Sequence, residues 1–251
     1  MRESDIVSGF ARGLQVIEAF GEDRTRLAIA DVAKATGLDR ATARRCLLTL
    51  AELGYADYDG KFFALTPKIL RLGHAYLSAT PLPRLVQPFL DSLSEKVGQS
   101  SSVSVLDGAE IVYVARASQR RVMSINLVPG SRLPAYCASM GRVLLAALPV
   151  EEARRLLKET PRTAFTPQTK TELSDLMAEL AKVREQGYAV IDQELEMGLC
   201  SIAVPLADSR GRVIAALNIG APAARVPAAD LADRYLDALR DVASSLQPLL
   251  R

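Results

Sequence analysis

The sequence predicts an α+β protein in two parts: an N-terminal winged helix-turn-helix, and a larger C-terminal part of antiparallel strands and helices. Three observations carry this. Residues 27–66, LAIADVAKATGLDRATARRCLLTLAELGYADYDGKFFALT, read as helix, tight turn, helix and hairpin. The proline-punctuated segment SATPLPRL (78–85) marks a boundary. From Ser100 onward, helical spacing gives way to short β-branched runs between turn signals.

Taken in order, Ser8–Phe20 is an opening helix, with Phe10, Leu14, Ile17 and Phe20 at helical spacing and expected to pack beneath the helix-turn-helix. Ile29–Thr36 is a short helix ended by Gly37. Asp39 can cap the next helix, Arg40–Leu53, by accepting from its first free N–H groups, and Gly54 stops it. At 100° per residue, Ala43, Cys46, Leu47, Leu50 and Leu53 share the inward face, with Leu48 partly off it. Two strand-like runs, Tyr55–Tyr58 and Phe62–Leu65, meet across Asp59-Gly60, a two-residue hairpin signal. Pro67 can open a helix to Leu77, since proline loses no hydrogen bond in a first turn.

Pro81 and Pro83 are expected to interrupt regular structure and stiffen a joint. A helix follows from about Arg84 to Val97, its stripe Leu85, Val86, Phe89, Leu93 and Val97 serving either as core or as a dimer contact. Strands are expected at 101–107, 110–116 and 121–127, with Asp107-Gly108 turning between the first two. Helices follow at 136–148, 151–158 and 171–186, then strands at 188–192, 199–206 and 213–219, and a last helix at about 228–249. Strands in one antiparallel sheet with added helices suit a sensor-like domain. The domain boundaries are 1–77 for the DNA-reading part, 78–98 for a linker and linker helix, and 99–251 for the sensor part.

The recognition helix would carry the DNA chemistry. Arg44 and Arg45 lie off its apolar stripe, Arg40 stands in its first turn, and Thr42 can reach phosphate or a base edge. Arginine suits bidentate contact with guanine or phosphate. Lys61 on the wing and Arg12 on the opening helix would meet backbone phosphate.

Composition narrows the function. A net charge of +2 over 251 residues is too small for a non-specific nucleic-acid coat and fits a local reading patch. The opening MRESDIVSGF has no apolar signal segment, and no run reaches the length of a membrane helix, so a cytoplasmic protein without a membrane partner is expected. Three scattered cysteines without a CxxC pair, and a single histidine, argue against metal or redox sites. No cofactor is expected. A rival reading makes the C-terminal part an enzyme or redox sensor tethered to DNA. It lacks support: there is no GxSxG elbow, HExxH or P-loop, and His74, the sole histidine, precedes the boundary. A third reading is an architectural DNA protein with a purely structural second domain.

Several segments together resemble the IclR family of bacterial transcription regulators over nearly the whole chain. They are RGLQVIEAF, ADVAKATGLDRATARRCLLTLAELGY, SVSVLDGAEIVYVAR, RLPAYCASMGRVLLA (132–146) and DQELEMGLCSIAVPL (192–206). Within that family, ARRCLLTLAELGY and YCASMGRVLLA are most similar to the Pca/Pob branch, which regulates breakdown of protocatechuate, 4-hydroxybenzoate and β-ketoadipate. The resemblance implies a GAF-like effector domain, dimers or dimers of dimers on a partly palindromic operator, and a small carboxylic acid as signal. Carried onto matching positions, it implies effector contacts at Ser139, Met140, Asp192, Ser201 and Asn218, with Cys137 and Cys200 nearby. Position 142 is often lysine in the family and is Arg142 here, which keeps charge but not geometry.

Physically, a pocket for such an acid needs an apolar wall, for which Ile125, Leu133, Met140 and Ile202 are candidates, and a carboxylate partner. Helix N–H groups near Cys137–Ser139 and the guanidinium of Arg132 could supply the latter. Arg116, Arg120 and Arg121 read more naturally as a solvated hairpin tip than as an anion site, and the acidic run Asp192, Glu194, Glu196 as a solvated rim or helix cap.

Overall fold

A computed structural model describes residues 5–21, 23–118 and 127–250, the Leu77 side chain excepted. They form two compact units that divide between Ala79 and Thr80.

The first unit is a helix-turn-helix with a wing. Helices α1 (Ser8–Glu18), α2 (Ile29–Thr36) and α3 (Arg40–Glu52) precede a hairpin of β1 (Ala56–Tyr58) and β2 (Phe63–Leu65), and α4 (Leu70–Ala79) ends the unit. Gly37 closes α2 in the left-handed region at φ 72°, where a side chain would strain the backbone. The Asp39 side chain accepts from the Thr42 N–H at 2.9 Å, the expected cap. That hydrogen bond, from side chain and backbone of Thr42 together, holds the Asp39 carboxyl below its usual range. The core joins Val16, Leu27, Val32, Ala43, Leu47, Leu50 and Phe63. Cys46 and Leu48 are partly buried against it.

Three expectations need correction here. Phe10 and Leu14 are exposed; Val16 and Ala19 bury the inner face of α1 instead. Leu53 is exposed too, because it lies past the last turn of α3 as its C-cap. The wing has a four-residue connection rather than a two-residue one: Tyr58 pairs with Phe63, and Asp59 Oδ1 accepts from the N–H groups of Lys61 and Phe62. This side-chain turn replaces the backbone turn that Asp-Gly alone suggests.

The second unit is a six-stranded antiparallel sheet in the order β5-β4-β3-β8-β7-β6. Its strands are β3 (Ser100–Asp107), β4 (Glu110–Ala117), β5 (Arg132–Pro134), β6 (Ala189–Asp192), β7 (Leu199–Ala207) and β8 (Val213–Pro222). One face packs on α5 (Leu82–Val97) and α9 (Leu231–Leu246) through Val86, Leu90, Val103, Val204, Leu217 and Leu239. The other face packs on α6 (Ser139–Ala147), α7 (Val150–Glu159) and α8 (Leu173–Gln186). The stretch expected as linker and linker helix ends α4 and forms α5, whose inner face is part of this core. Pro83 does not interrupt it: it sits in the first turn of α5, where no intrahelical N–H bond is lost. Of the expected strand 121–127, residues 121–126 lie outside the described residues; Leu127 is buried and not in a strand. The short strand β5 was not expected.

Helix α6 sets the layer on which the site depends. All its residues from Ser139 to Ala146 are buried. The sheet beneath it presents Ala203 and Ala216, small enough to admit a close helix. At its other side a Cβ on Gly141 would fall 2.1 Å from the carbonyl oxygen of Ala135. Glycine is therefore required there by proximity, not by an unusual backbone angle.

Candidate functional site

Two places collect the expected side chains. On the first unit, Arg12, Arg40, Arg44, Arg45 and Lys61 are exposed and Thr42 is half-buried. None of these basic side chains is in an ion pair with a carboxylate among the described residues. Arg12, Thr42 and Arg45 border one groove between α1 and α3. Lys61 stands over the Phe62 ring at 5.0 Å, and the neighbouring Asp59 is held by Arg26. Uncompensated guanidinium groups on an exposed helix, beside a short wing, are suited to a polyanion.

On the second unit, a cavity opens under the start of α6. Cys137, Ser139, Met140, Ser201 and Asn218 all line it, with Leu133, Leu195 and Leu199 as apolar wall. Ser201 Oγ donates to Ser139 Oγ at 2.9 Å, joining β7 to the first turn of α6. The buried Asn218 Oδ1 has no hydrogen-bond partner, an acceptor that stays costly until something donates to it. Leu127 also lines the cavity, whereas Ile125 lies outside the described residues.

Sequence reasoning missed the most telling group. Arg116 lines the cavity, with its Nη1 on Ser102 Oγ at 3.0 Å and no carboxylate in ion-pair range among the described residues. Its surroundings explain both its position and the miss. Alternation would place Tyr113 and Arg116 on opposite faces of β4, because they are three residues apart. The register slips between Val103 and Ser104, which pair with Ala115 and Tyr113, so Val114 is an extra residue. Both Val114 and Ala115 then enter the α5–α9 core, and Tyr113 and Arg116 share the cavity face. Burial lowers the Arg116 pKa, with Tyr113 opposing that trend, but a guanidinium remains charged at neutral pH. Burial pushes the Tyr113 phenol up to about 12, so it is a neutral donor. Arg120 and Arg121, grouped with Arg116 by sequence, lie outside the described residues.

Four expected contacts are not at this cavity. Arg132 is on the exposed edge strand β5, donating to Glu110 and Asp107 at 2.8 Å each. Cys200 and Ile202 flank Ser201 in β7, and neighbours in a strand point to opposite faces; both are in the α5–α9 core. Asp192 pairs in register with Cys200, whose Sγ lies 3.1 Å from Asp192 Oδ1 on that same far side. Glu194 is no solvated rim: it is 4% exposed and bonded to the buried Arg142 at 2.6 Å.

Little else suggests chemistry. His74 is exposed on α4, its Nε2 3.1 Å from Ser78 Oγ one turn away. Among the described residues, no group of three or more His, Cys, Asp or Glu could hold a metal, and no helix is long and apolar enough to cross a membrane.

Comparison with known proteins follows the same division. Residues 10–60 match the IclR helix-turn-helix domain, and residues 74–247 match the C-terminal domain of bacterial IclR transcriptional regulators. The Pca regulon regulatory protein of Pseudomonas putida is 46% identical over 94% of this chain and 82% of its own length. A crystal structure of a protein of Rhodococcus sp. RHA1 superposes with a TM-score of 0.81 at 48% identity, covering 96% of this chain and 97% of that one. The inducer-binding domain of Acinetobacter PobR, a double mutant in complex with 3-hydroxybenzoic acid, gives a TM-score of 0.64 at 34% identity. It covers 67% of this chain and 98% of that domain.

Proposed function

The chain belongs to the IclR family of bacterial transcriptional regulators, and from that premise we propose that an aromatic carboxylic acid bound beside Arg116 controls its grip on operator DNA. The family and its close relatives are regulators, not enzymes, which disposes of the tethered-enzyme reading. The observation that carries the proposal is the unpaired guanidinium of Arg116 in an otherwise largely apolar cavity. A charge in such a place is costly unless an anion joins it. The acid's carboxylate would sit on Arg116, near the first N–H groups of α6. A ring hydroxyl would donate to Asn218 Oδ1, and Cys137, Ser139, Met140 and Ser201 would shape the ring's surroundings. The double mutant of the Acinetobacter PobR inducer-binding domain, in complex with 3-hydroxybenzoic acid, supports this ligand class. The Pseudomonas putida relative, a Pca regulon regulatory protein, supports control over the breakdown of such acids, and a cytoplasmic location is consistent with the helix-turn-helix match.

The cavity is small, about 40 Å³, room for little more than a water molecule. An aromatic acid therefore enters only if part of the wall moves outward, and binding and rearrangement are one event. This is the coupling a regulator needs, because a ligand shifts an equilibrium only through unequal affinity for two arrangements.

On the DNA side, Arg40, Thr42, Arg44 and Arg45 of α3 would enter the major groove, with Arg12 and Lys61 on phosphate. A second copy of the chain would supply the other half-site of a partly palindromic operator. Exposed Phe10, Leu14, Leu53 and Leu72 around a cavity of about 450 Å³ in the first unit support such self-association, as a dimer or dimer of dimers.

A thermal-shift panel tests the ligand half. At saturating 4-hydroxybenzoate, 3-hydroxybenzoate or protocatechuate, the wild-type melting temperature should rise with one acid, since a ligand specific to the folded state stabilises it. Arg116→Gln should abolish that rise while melting normally without ligand. An equal rise in the variant would remove Arg116 from the site.

A further inference from the structure

The buried pair Arg142–Glu194 spans from the helix that starts at the cavity to the segment that walls it, and nothing in the ligand reading uses it. The side chains are 2% and 5% exposed, and Arg142 is the largest fully buried side chain in the described protein. Arg142 Nη2 donates to Glu194 Oε2 at 2.6 Å, and its Nε donates to the carbonyl of Tyr136 at 3.0 Å. The Lys170 backbone N–H donates to the same Glu194 oxygen at 3.0 Å. Farther out, Glu179 takes Lys170 Nζ at 2.6 Å and lies 3.7 Å from Arg142, so two cations face two carboxylates. Burial works against the ionised Glu179, but the hydrogen bond and charge of Lys170, with Arg142, outweigh it and hold its carboxyl low.

Such a pair is poor evidence for stability, because desolvating both charges cancels much of their attraction. What it fixes is position. Glu194 lies in the 193–198 connection between β6 and β7, and Leu195 of that connection and Leu199, the first residue of β7, line the cavity together with Ser139 and Met140. Further bonds fasten the same stretch. Thr166 Oγ1 donates to the Gln193 carbonyl at 2.7 Å, Thr169 Oγ1 donates to the Glu194 carbonyl, and Gly198 N–H donates to Gln193 Oε1 at 2.9 Å. Gln193 is the one described non-glycine residue at positive φ, 55°, a conformation that costs energy and persists only where the surroundings impose it. Arginine does what lysine could not at this position: one fork reaches both Glu194 and the Tyr136 carbonyl.

We propose that Arg142 and Glu194 are positioning residues for the effector: their ion pair holds the Leu195–Leu199 wall fixed against the start of α6, so ligand affinity depends on a pair that never touches the ligand. The inference rests on the cavity being the effector site. Its energetic basis is preorganisation: the Leu195–Leu199 wall does not have to be ordered on binding, and the outward movement that admits the acid falls on the rest of the cavity lining.

The test combines hydrogen exchange with calorimetric titration of 4-hydroxybenzoate or protocatechuate, on full-length wild type, Glu194→Gln, Arg142→Lys and Thr166→Val/Thr169→Val. In Glu194→Gln the amides of 193–199 should exchange about tenfold faster or more, with α9 unchanged. The Kd for the acid should rise about tenfold or more. Arg142→Lys, which keeps the charge and loses the fork, should fall between. The double threonine variant leaves no buried charge unpaired, so it carries the test if Glu194→Gln does not fold; its Kd should rise about threefold or more. Unchanged exchange at 193–199, or faster exchange with an unchanged or lower Kd, would overturn the proposal. Faster exchange in the variants together with no binding by the wild type would support the pinning and overturn the ligand reading instead.

Discussion

Arg116 shows why a site of this kind is only partly legible in sequence. Its residue type was visible, but its direction depended on one extra residue in β4, and a bulge leaves no mark in composition or alternation. Ser201 and Cys200 show the complementary case. The resemblance brought both forward, and strand geometry admits only one of two neighbours to a given face. Ser139 and Met140 could be carried over because they stand in the YCASMGRVLLA segment, whereas Asn218 lies beyond the quoted segments, in β8. Glu194 could not be read as buried, since its partner is 52 residues away in sequence. Cys137 and Cys200 bear on the redox alternative. Burial pushes both thiols up to about 12. An acid with a raised pKa stays protonated through a higher pH, so at pH 8 only about one thiol in ten thousand would be thiolate at either site. Alkylation by iodoacetamide at pH 8, read by mass spectrometry of the native protein, should therefore modify the partly exposed Cys46 first and leave Cys137 and Cys200 unmodified. Modification of Cys137 at the rate of a free thiol would contradict the burial described for it.

At the scale of elements, caps and periodicity were the readable signals. Gly37, Asp39, Gly54 and Gly187 ended or started helices as their residue types suggest, because these effects act over a single turn. Burial was less legible. Phe10 and Leu14 have the right spacing for a core face, yet Val16 and Ala19 fill it, and spacing alone does not say which neighbour supplies the opposite surface. The approach of α6 to the Ala135–Cys137 turn was not legible, since it depends on tertiary proximity. Gly141 tests that packing. A methyl group there would overlap backbone atoms of Ala135, which cannot rotate away as a side chain would. Gly141→Ala, despite its better helix propensity, should destabilise the protein by about 2 kcal/mol or more in urea unfolding, in the range of overpacked cores. It should also weaken acid binding, because Ser139 and Met140 sit on the same turn. A stability equal to or above wild type would mean that α6 has more room than described.

For the whole molecule, the two-part organisation was legible because each part has its own pattern: helix, turn, helix and wing before the prolines, antiparallel strands after them. In the proposed regulation, a small-acid site in one part controls DNA reading in the other. Each half has a residue-level handle, Arg116 for the acid and Arg44 for the duplex. The most direct test measures the affinity of the full-length protein for an operator duplex selected from a random pool, by fluorescence anisotropy at fixed salt. It compares no ligand with saturating 4-hydroxybenzoate or protocatechuate, in wild type, Arg116→Gln and Arg44→Ala. One of these acids should shift wild-type operator affinity by roughly 5–150-fold. Arg116→Gln should bind the same duplex but ignore the acid, and Arg44→Ala should lose about 1–3 kcal/mol of specific binding. Wild-type affinity unmoved by every acid, with Arg116→Gln indistinguishable from it, would contradict the account.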